Sequence, residues 1–352
     1  MSRYDIAIVG GGIAGATLAA ELAPHASVLL LEAEETPGYH ATGRSAAFWS
    51  ETYGGPDVQP LTTASADALA PYLSPLGSLH VGRDADRAAA ERFLSEFEGS
   101  GVVLEPVDPR MRVAGLREAW SVGVWEPSCA YIDVARLHGD ALGAARRSGA
   151  TVRTNAPFKG AERNYGRWVI GSDSAEVVVN AAGAWADAVA TSVGAAPLGI
   201  AAFRRTMVQL RTVPAPPEGL PMIADIGGSF YFKPEGADRL WLSPHDEIAT
   251  DPCDAAAEEI DVALAIDRFE GAVDWPVAAV ERRWAGLRSF APDRLPVYGF
   301  DARVPGFFWC AGQGGFGIQT APAAARLAAA VLLSRSPDRA IDPARYAPSR
   351  FD

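Results

Sequence analysis

The sequence of 352 residues is short of cysteine, histidine, positive charge and long apolar runs, and each shortage argues against a class of function. Its three cysteines, Cys129, Cys253 and Cys310, lie far apart, with no C-x-x-C pair and no histidine at ligand spacing. That pattern speaks against a metal centre and a redox disulfide, and fits reduced thiols in a cytoplasmic protein. Acidic residues outnumber basic ones 43 to 31, for a formal charge of −12. Polyanions are held by clustered Lys and Arg, so nucleic acid is not an expected partner. The most apolar late stretch, Leu327 to Leu333, follows Arg326 and is far shorter than the about 20 residues of a membrane span. The N-terminus shows no basic region, apolar run and small-residue cleavage site in succession, so no signal peptide is expected. Internal repeats, low-complexity linkers, a Ser-His-Asp set and a paired general acid and base are all missing.

Apolar residues make up 49% and charged ones 21%, enough for an ordinary core. The length suits two domains, or one large α/β domain carrying an insertion. Ile6 to Val9 is a continuous apolar run, as in a parallel strand covered on both faces. Helical spacing follows from Ile13 to Leu22, with Pro24 after it, and Val28 to Leu31 reads as a second strand. A further α/β stretch has a helix over Val134 to Arg147, then strands over Thr151 to Thr154, Trp168 to Ile170 and Glu176 to Val179. Pro-bounded strands such as Met207 to Leu210 and Phe230 to Phe232 suggest a different, mixed and largely antiparallel sheet. The expected fold class is therefore α/β: a Rossmann-type cofactor domain over 1–79, 133–197 and 286–352. An α+β substrate domain, 80–132 and 198–285, is inserted into it.

Between the first strand and helix, Gly10-Gly11-Gly12-Ile13-Ala14-Gly15 satisfies G-x-G-x-x-G. Gly10 permits the tight turn, Gly12 the approach of a pyrophosphate, and Gly15 close helix–strand packing, with Ile13 and Ala14 opening the helix. A helix N-terminus offers free N–H groups to phosphate. Glu32, 17 positions past Gly15, ends the next strand where a carboxylate would hold a ribose hydroxyl and repel a 2′-phosphate. A second Gly-rich turn near the far end, Ala311 to Gly317, has glycines at 312, 314, 315 and 317. It precedes an Ala-rich helix whose positive dipole end would favour an electron-rich group, which points to FAD rather than NAD. No second dinucleotide fingerprint is present for a nicotinamide.

Five segments in order resemble the D-amino-acid oxidase and dehydrogenase superfamily, which includes glycine and sarcosine oxidases, and most of all its D-arginine dehydrogenase-like members. They are Gly38 to Ala47, Asn180 to Trp185, Ser229 to Pro234, Trp284 to Phe290 and Gln313 to Thr320. The resemblance implies non-covalent FAD, since no cysteine lies between Trp284 and Phe290. It implies oxidative deamination of an amino acid by hydride transfer from Cα, giving an imino acid and then a 2-oxo acid and ammonia. Flavin contacts are implied at Ala33, Thr42, Gly43, Arg44, Ser45, Ala46, Ala47 and Val152. Further contacts are implied at Ala182, Gly183, Trp185 and Gly286, and along Gly312, Gly314, Gly315, Phe316, Gly317, Ile318 and Gln319.

Arg288 is the first candidate for the substrate carboxylate, because a guanidinium fork binds carboxylate bidentately. The plainer reading is a structural arginine paired with Asp293. Arg205 matches a second pocket arginine of the resembled enzymes, although Arg204-Arg205 could equally be an exposed strand pair. Tyr231 and Tyr53 could donate phenolic hydrogen bonds, and Gln319 an amide contact. Where the resembled arginine dehydrogenases carry an acidic residue for the distal guanidinium, this chain aligns Ser78, and Phe48 stands in place of a histidine. A cationic side chain buried without a carboxylate is costly. Phe48, Trp49, Tyr53 and Met222 suggest a neutral or apolar D-amino acid instead. His40 and His245 read as loop residues, and Ser243 to Cys253 as a candidate lid. The alternatives are a glycine- or sarcosine-type amine oxidase, a tailoring enzyme for another amine, and a non-enzymatic FAD module. The substrate partner is a small amine or amino acid, and the electron acceptor is left open between oxygen, a quinone and another carrier.

Overall fold

Two large sheets and a small corner sheet build the chain, and the functional cleft lies where the two large ones meet. The computed structural model describes residues 2–351. The first sheet runs, in spatial order, Glu162–Asn164, Arg167–Ile170, Asp173–Asn180, Ser2–Val9, Val28–Leu31 and Thr151–Arg153. Phe307–Ala311 pairs in parallel with the end of Asp173–Asn180, and Val297–Phe300 lies antiparallel to it. Alternation along Ser2–Val9 sends Ile6 and Ile8 to one face and Ala7 and Val9 to the other. The first pair packs on the helices Ile13–Leu22, Val134–Arg147 and Ala321–Leu332, through Leu18, Leu22, Leu142, Ala145 and Leu327. The second pair packs on Val189, Ala190, Phe307 and Trp309. Phe307, Phe308 and Trp309 are fully buried, each stabilising by about 1.5–3 kcal/mol or more through apolar burial. The expected parallel strands and the helices at 13–22 and 134–147 are thus present.

The second sheet has ten strands. Its path runs Gln313–Gly314, Val277–Phe290, Ala201–Thr212, Arg239–Ser243, Tyr231–Glu235, Met222–Asp225, Ser78–Gly82, Val122–Glu126 and Glu105–Val107, with Ile248–Ala249 on the edge of Ala201–Thr212. All pairings are antiparallel except Met222–Asp225 with Ser78–Gly82, so the mixed, largely antiparallel expectation stands. The helix Glu259–Ala272, which the apolar periodicity does not announce, covers one face: Val262, Ala265 and Phe269 meet Val208, Phe232, Leu240 and Leu242. The opposite face carries Met207 and Tyr231 toward Ala46 and Phe48. A three-stranded sheet of Phe48–Trp49, Ala130–Ile132 and Leu73–Pro75 fills the corner.

Val277–Phe290 continues past residue 286, and its last two residues pair with the second Gly-rich turn, Ser289 with Gly314 and Phe290 with Gln313. The loop expected as a lid is held at the sheet edge, because Ile248 and Ala249 pair with Arg204 and Phe203. No helix among the described residues is long and apolar enough to cross a membrane.

Candidate active site and cofactor cleft

A cavity of about 600 Å³ runs from the first Gly-rich turn, past Thr42 to Ala47, to Arg205, Tyr231 and Arg288. At its first end Gly10 and Gly15 leave no room for a side chain. Gly10 has φ +106°, and a Cβ there would lie 2.4 Å from the Ala181 carbonyl oxygen. A Cβ on Gly15 would lie 1.9 Å from the Gly10 carbonyl oxygen, so Gly15 serves helix–strand contact beneath the cleft. Gly12 faces the cavity, where a Cβ would have only the Thr42 hydroxyl near it, 3.3 Å away. The Ile13 N–H donates to Thr42 Oγ1 at 3.0 Å. Glu32 is buried and accepts from the Gly11 N–H at 2.8 Å and the Glu34 N–H at 2.9 Å. One oxygen goes to each amide, which leaves a lone pair on both for ribose hydroxyls. A bare-backbone cradle beside a fixed carboxylate fits the pyrophosphate and ribose of FAD.

Ala14, Ala33, Ser45, Ala46, Ala47, Ala182, Gly183, Trp185, Gly286, Gly314, Gly317 and Ile318 also line the cavity. Ala47 holds φ +55°, a left-handed conformation costly for a non-glycine residue, where the loop turns into the cleft. Four expected contacts fall elsewhere. Gly43 closes its own loop, donating its N–H to the Gly38 carbonyl at 2.8 Å. Val152 packs against the helix-side core, Gly312 against Ile200 and Ala291, and Phe316 against Val58 and Phe290. Arg44 reaches the cleft, but its guanidinium turns to Asp254 and to the carbonyls of Ala255 (2.9 Å) and Ala285 (3.3 Å). The helix after the second turn opens at Ala321, so the turn itself, rather than a helix end, faces the cavity.

At the other end Arg288 is the central group. Its side chain is half-buried, its Nη1 is buried without a partner, and Asp293 is bonded instead to Arg350. Arg205 is 4% exposed, not a surface residue. Its Nε donates to the Asp246 carbonyl and its Nη2 to Glu247 at 3.2 Å, while Nη1 is unpartnered. Burial and then the charge of Arg288 lower its pKa. The Tyr231 hydroxyl finds only the Met207 sulfur, at 3.2 Å, a weak acceptor. Tyr53 stands just behind the lining. A Cβ on Gly315 would lie 2.0 Å from its hydroxyl and 2.9 Å from Arg288 Nε, so the bare Cα of Gly315 lets both groups converge.

Gln319 lines the cavity, yet its side chain is engaged within the protein. Nε2 donates to the Tyr53 carbonyl and Thr62 Oγ1, both at 2.9 Å, and Oε1 accepts from the Ser50 N–H. Ser78 and Met222 lie outside the cavity: both are buried on strands further out in the second sheet, paired with each other. Trp49 packs with Ile13 and Leu69 in a separate core. Of the proposed apolar set, Phe48 alone lines the cleft; Met207, two residues along the strand from Arg205, takes the place given to Met222. Strand alternation from Arg205 was the signal for Met207, whereas Pro157, Phe158 and Lys159 on the cleft wall had none.

His245 is not a base. Burial and the nearby charges of Arg205 and Arg288 pull its pKa to about 3, and its Nδ1 lies 2.7 Å from the Gly228 carbonyl, so that nitrogen carries the proton. His40 bonds Glu34 at 3.0 Å and packs on Trp185 along the cleft wall. None of the three cysteines lines the cavity, and no group of three or more metal-ligating side chains occurs among the described residues.

Residues 5–331 match the family described as DAO, FAD dependent oxidoreductase. A component of the opine oxidase of Agrobacterium tumefaciens (strain Ach5) is 24% identical over 350 residues, covering 90% of each chain. Human mitochondrial dimethylglycine dehydrogenase is 27% identical over 281 residues, which span 69% of this chain and only 31% of that longer protein. Among solved structures, glycine oxidase from Geobacillus kaustophilus superposes with a TM-score of 0.82 at 24% identity over 99% of both chains. L-proline dehydrogenase from P. horikoshii reaches 0.87 at 20% identity over 99% of this chain and 98% of that one. With the glycine cradle, the buried Glu32 carboxylate beside it and the fold in agreement, this chain belongs to the DAO family of FAD-dependent oxidoreductases.

Proposed function

We propose that this enzyme oxidises the Cα–N bond of an α-amino acid, with a neutral or apolar side chain and the D configuration. The observation that carries the reading is Arg288, a half-buried guanidinium on the cavity wall with a buried, unpartnered Nη1 and no ion pair, beside Tyr53 and Tyr231. Such a charge is costly until a carboxylate meets it, and its fork suits one bidentately. Bound FAD, held non-covalently, supplies the acceptor for a hydride from Cα, which leaves an imine that water converts to a 2-oxo acid and ammonia. Residues 1–79, 133–197 and 286–352 would hold the cofactor, and 80–132 with 198–285 the substrate.

Local charge favours an anionic substrate with a neutral amine. Arg205, Arg288 and Arg294 face Asp246 and Glu247, a surplus of one positive charge, and Glu247 is shared by Arg205 and Arg294. One carboxylate balances that surplus. Glu32 and Glu34 line the opposite end, so no acidic side chain stands ready for an ammonium or for a cationic substrate side chain. Phe48, Met207 and Tyr231 offer an apolar wall. The D configuration rests on the resemblance to D-amino-acid dehydrogenases.

The test is anaerobic mixing of the FAD-loaded enzyme with single D- and L-amino acids, glycine and sarcosine, following bleaching of the visible flavin band. Neutral apolar D-amino acids should bleach it fast and D-arginine slowly. Fast reduction by D-arginine would overturn the side-chain assignment. The likeness to glycine oxidase and dimethylglycine dehydrogenase supports a second reading, a glycine- or sarcosine-type amine oxidase, and bleaching by those two alone would establish it.

A further inference from the structure

Glu126 ends the strand Val122–Glu126 with a carboxylate that is 0% exposed and does not line the cleft. Four donors surround it. Oε2 accepts from Ser50 Oγ (3.0 Å), Thr52 Oγ1 (2.7 Å) and His80 Nε2 (3.1 Å), and Oε1 from the Glu51 N–H (2.8 Å). Burial pushes its pKa up, but His80, Thr52 and Ser50 outweigh that and hold it below the ordinary value, so it is ionised. Three of the donors are consecutive residues of the loop that delivers Tyr53. From the other side Gln319 holds the Tyr53 carbonyl and the Ser50 N–H. The segment 50–53 is therefore gripped between a buried carboxylate of the second sheet and a buried amide at the second Gly-rich turn. Its product is the position of the Tyr53 ring, 5.7 Å from the Arg288 guanidinium, with the hydroxyl against Gly315.

We propose that Glu126 is a positioning residue for substrate binding: its buried carboxylate fixes residues 50–52 so that the Tyr53 hydroxyl meets the substrate carboxylate beside Arg288. This rests on the reading of Arg288 as the carboxylate anchor. A charged acceptor suits the task because a carboxylate can only accept, which turns the Ser50 and Thr52 hydroxyls and His80 toward it as donors beside the Glu51 N–H. Glu126→Gln keeps the volume and removes the charge, so the three bonds at Oε2 lose their charge assistance in either amide orientation.

The experiment titrates FAD-loaded enzyme with benzoate, a carboxylate that cannot be oxidised, and reads the shift of the flavin spectrum. It uses the parent, Glu126→Gln, Tyr53→Phe and the double variant. Loss of one hydrogen bond to a charged group predicts a rise in Kd of about tenfold for Tyr53→Phe, and a comparable rise for Glu126→Gln. The double variant should match Tyr53→Phe alone, because Glu126 acts through that hydroxyl. FAD content should stay at the parent level in all four. Additive losses, or an unchanged Kd in Glu126→Gln, overturn the proposal. If Glu126→Gln does not fold, Thr52→Val carries the same test: a smaller rise in Kd that vanishes in the Tyr53→Phe background. A parent enzyme that binds no benzoate or amino-acid carboxylate overturns the anchor reading itself and this proposal with it.

Discussion

Arg204 and Arg205 are adjacent on one strand, and the alternation of a strand sends them to different surroundings. Arg204 bonds Glu258 and Asp261 (2.8 Å) on the helix side, while Arg205 turns to Asp246, Glu247 and the cleft. Arg288, unlike both, has no acid within ion-pair distance, although Glu247 and Asp246 lie near enough to favour its charge. Arg288→Ala should lower kcat/KM by about a hundred- to a thousandfold, the cost of leaving a buried carboxylate unpaired. Arg288→Lys should recover only part, since an ammonium cannot grip both oxygens at once. Steady-state kinetics with the best substrate of the panel checks both, and a small effect of Arg288→Ala would remove the anchor. The pH behaviour belongs to this scale as well. With His245 neutral and no other base at the site, kcat/KM should rise with pH as the substrate amine loses its proton, and His245→Asn should leave that profile in place. Stability should respond differently. The pKa of His245 is near 3 when folded and 6.5 in the ordinary state. The unfolded chain therefore binds the extra proton between those values, and stability falls as pH drops from about 6.5 toward 3. His245→Asn, which tolerates the φ of +55° there, should flatten that decline in urea midpoints measured across the range.

Elements built from local pattern were legible, and pairings across long stretches of chain were not. Ile13–Leu22, Val28–Leu31 and Val134–Arg147 announce themselves through apolar period and flanking Gly or Pro, and the glycines at 10, 12 and 15 through a fixed spacing. The second sheet carries no such local record. Ser78–Gly82 lies beside Met222–Asp225, and only that distant parallel pairing puts Ser78 and Met222 outside the cleft. Arg44 shows the same limit. Its acceptors, Asp254, Ala255 and Ala285, come from a part of the chain that no spacing rule connects to it. The hold of Glu126 on residues 50–52 was not legible, because it joins a strand of the second sheet to a loop more than seventy residues earlier in the chain. The two Gly-rich turns should also differ under substitution. Gly15→Ala would set a methyl 1.9 Å from a backbone carbonyl that cannot move without unseating the first turn. It should yield protein without FAD, or no folded protein at all. Gly315→Ala would meet the Tyr53 hydroxyl at 2.0 Å, the end of a side chain that can swing away. It should keep its FAD and lose substrate affinity, which flavin absorbance after purification and benzoate titration together resolve.

Taken as a whole, the molecule places a cofactor cleft between two sheets that are joined at their margins by strand pairing and side-chain hydrogen bonds. The strand Val277–Phe290 crosses from the second sheet to the Gly-rich turn, and Arg44 ties the flavin loop to residues 254–255. The walls of the cleft come from both sides: Gly10, Gly12, Glu32 and Thr42 at one end, and Arg205, Tyr231, Gly286 and Arg288 at the other. A ligand that fills the whole cleft therefore stabilises the union of the two sheets, and one that fills only the first end stabilises the first sheet alone. Ligand binding raises stability by about 2.7 kcal/mol at 100 times Kd, several degrees of Tm in a chain of this size. Apoprotein prepared by removal of FAD should thus melt below the loaded enzyme, with the first sheet and the second separating in the melting profile. ADP, which carries the adenosine and pyrophosphate alone, should raise the first of those transitions at concentrations scaled to its own Kd and leave the second where it is. FAD should raise both and merge them. Equal action of ADP and FAD on the whole profile would mean that the flavin ring makes no contact with the second sheet, and the substrate groups on that sheet would then lie too far from the ring to serve the reaction.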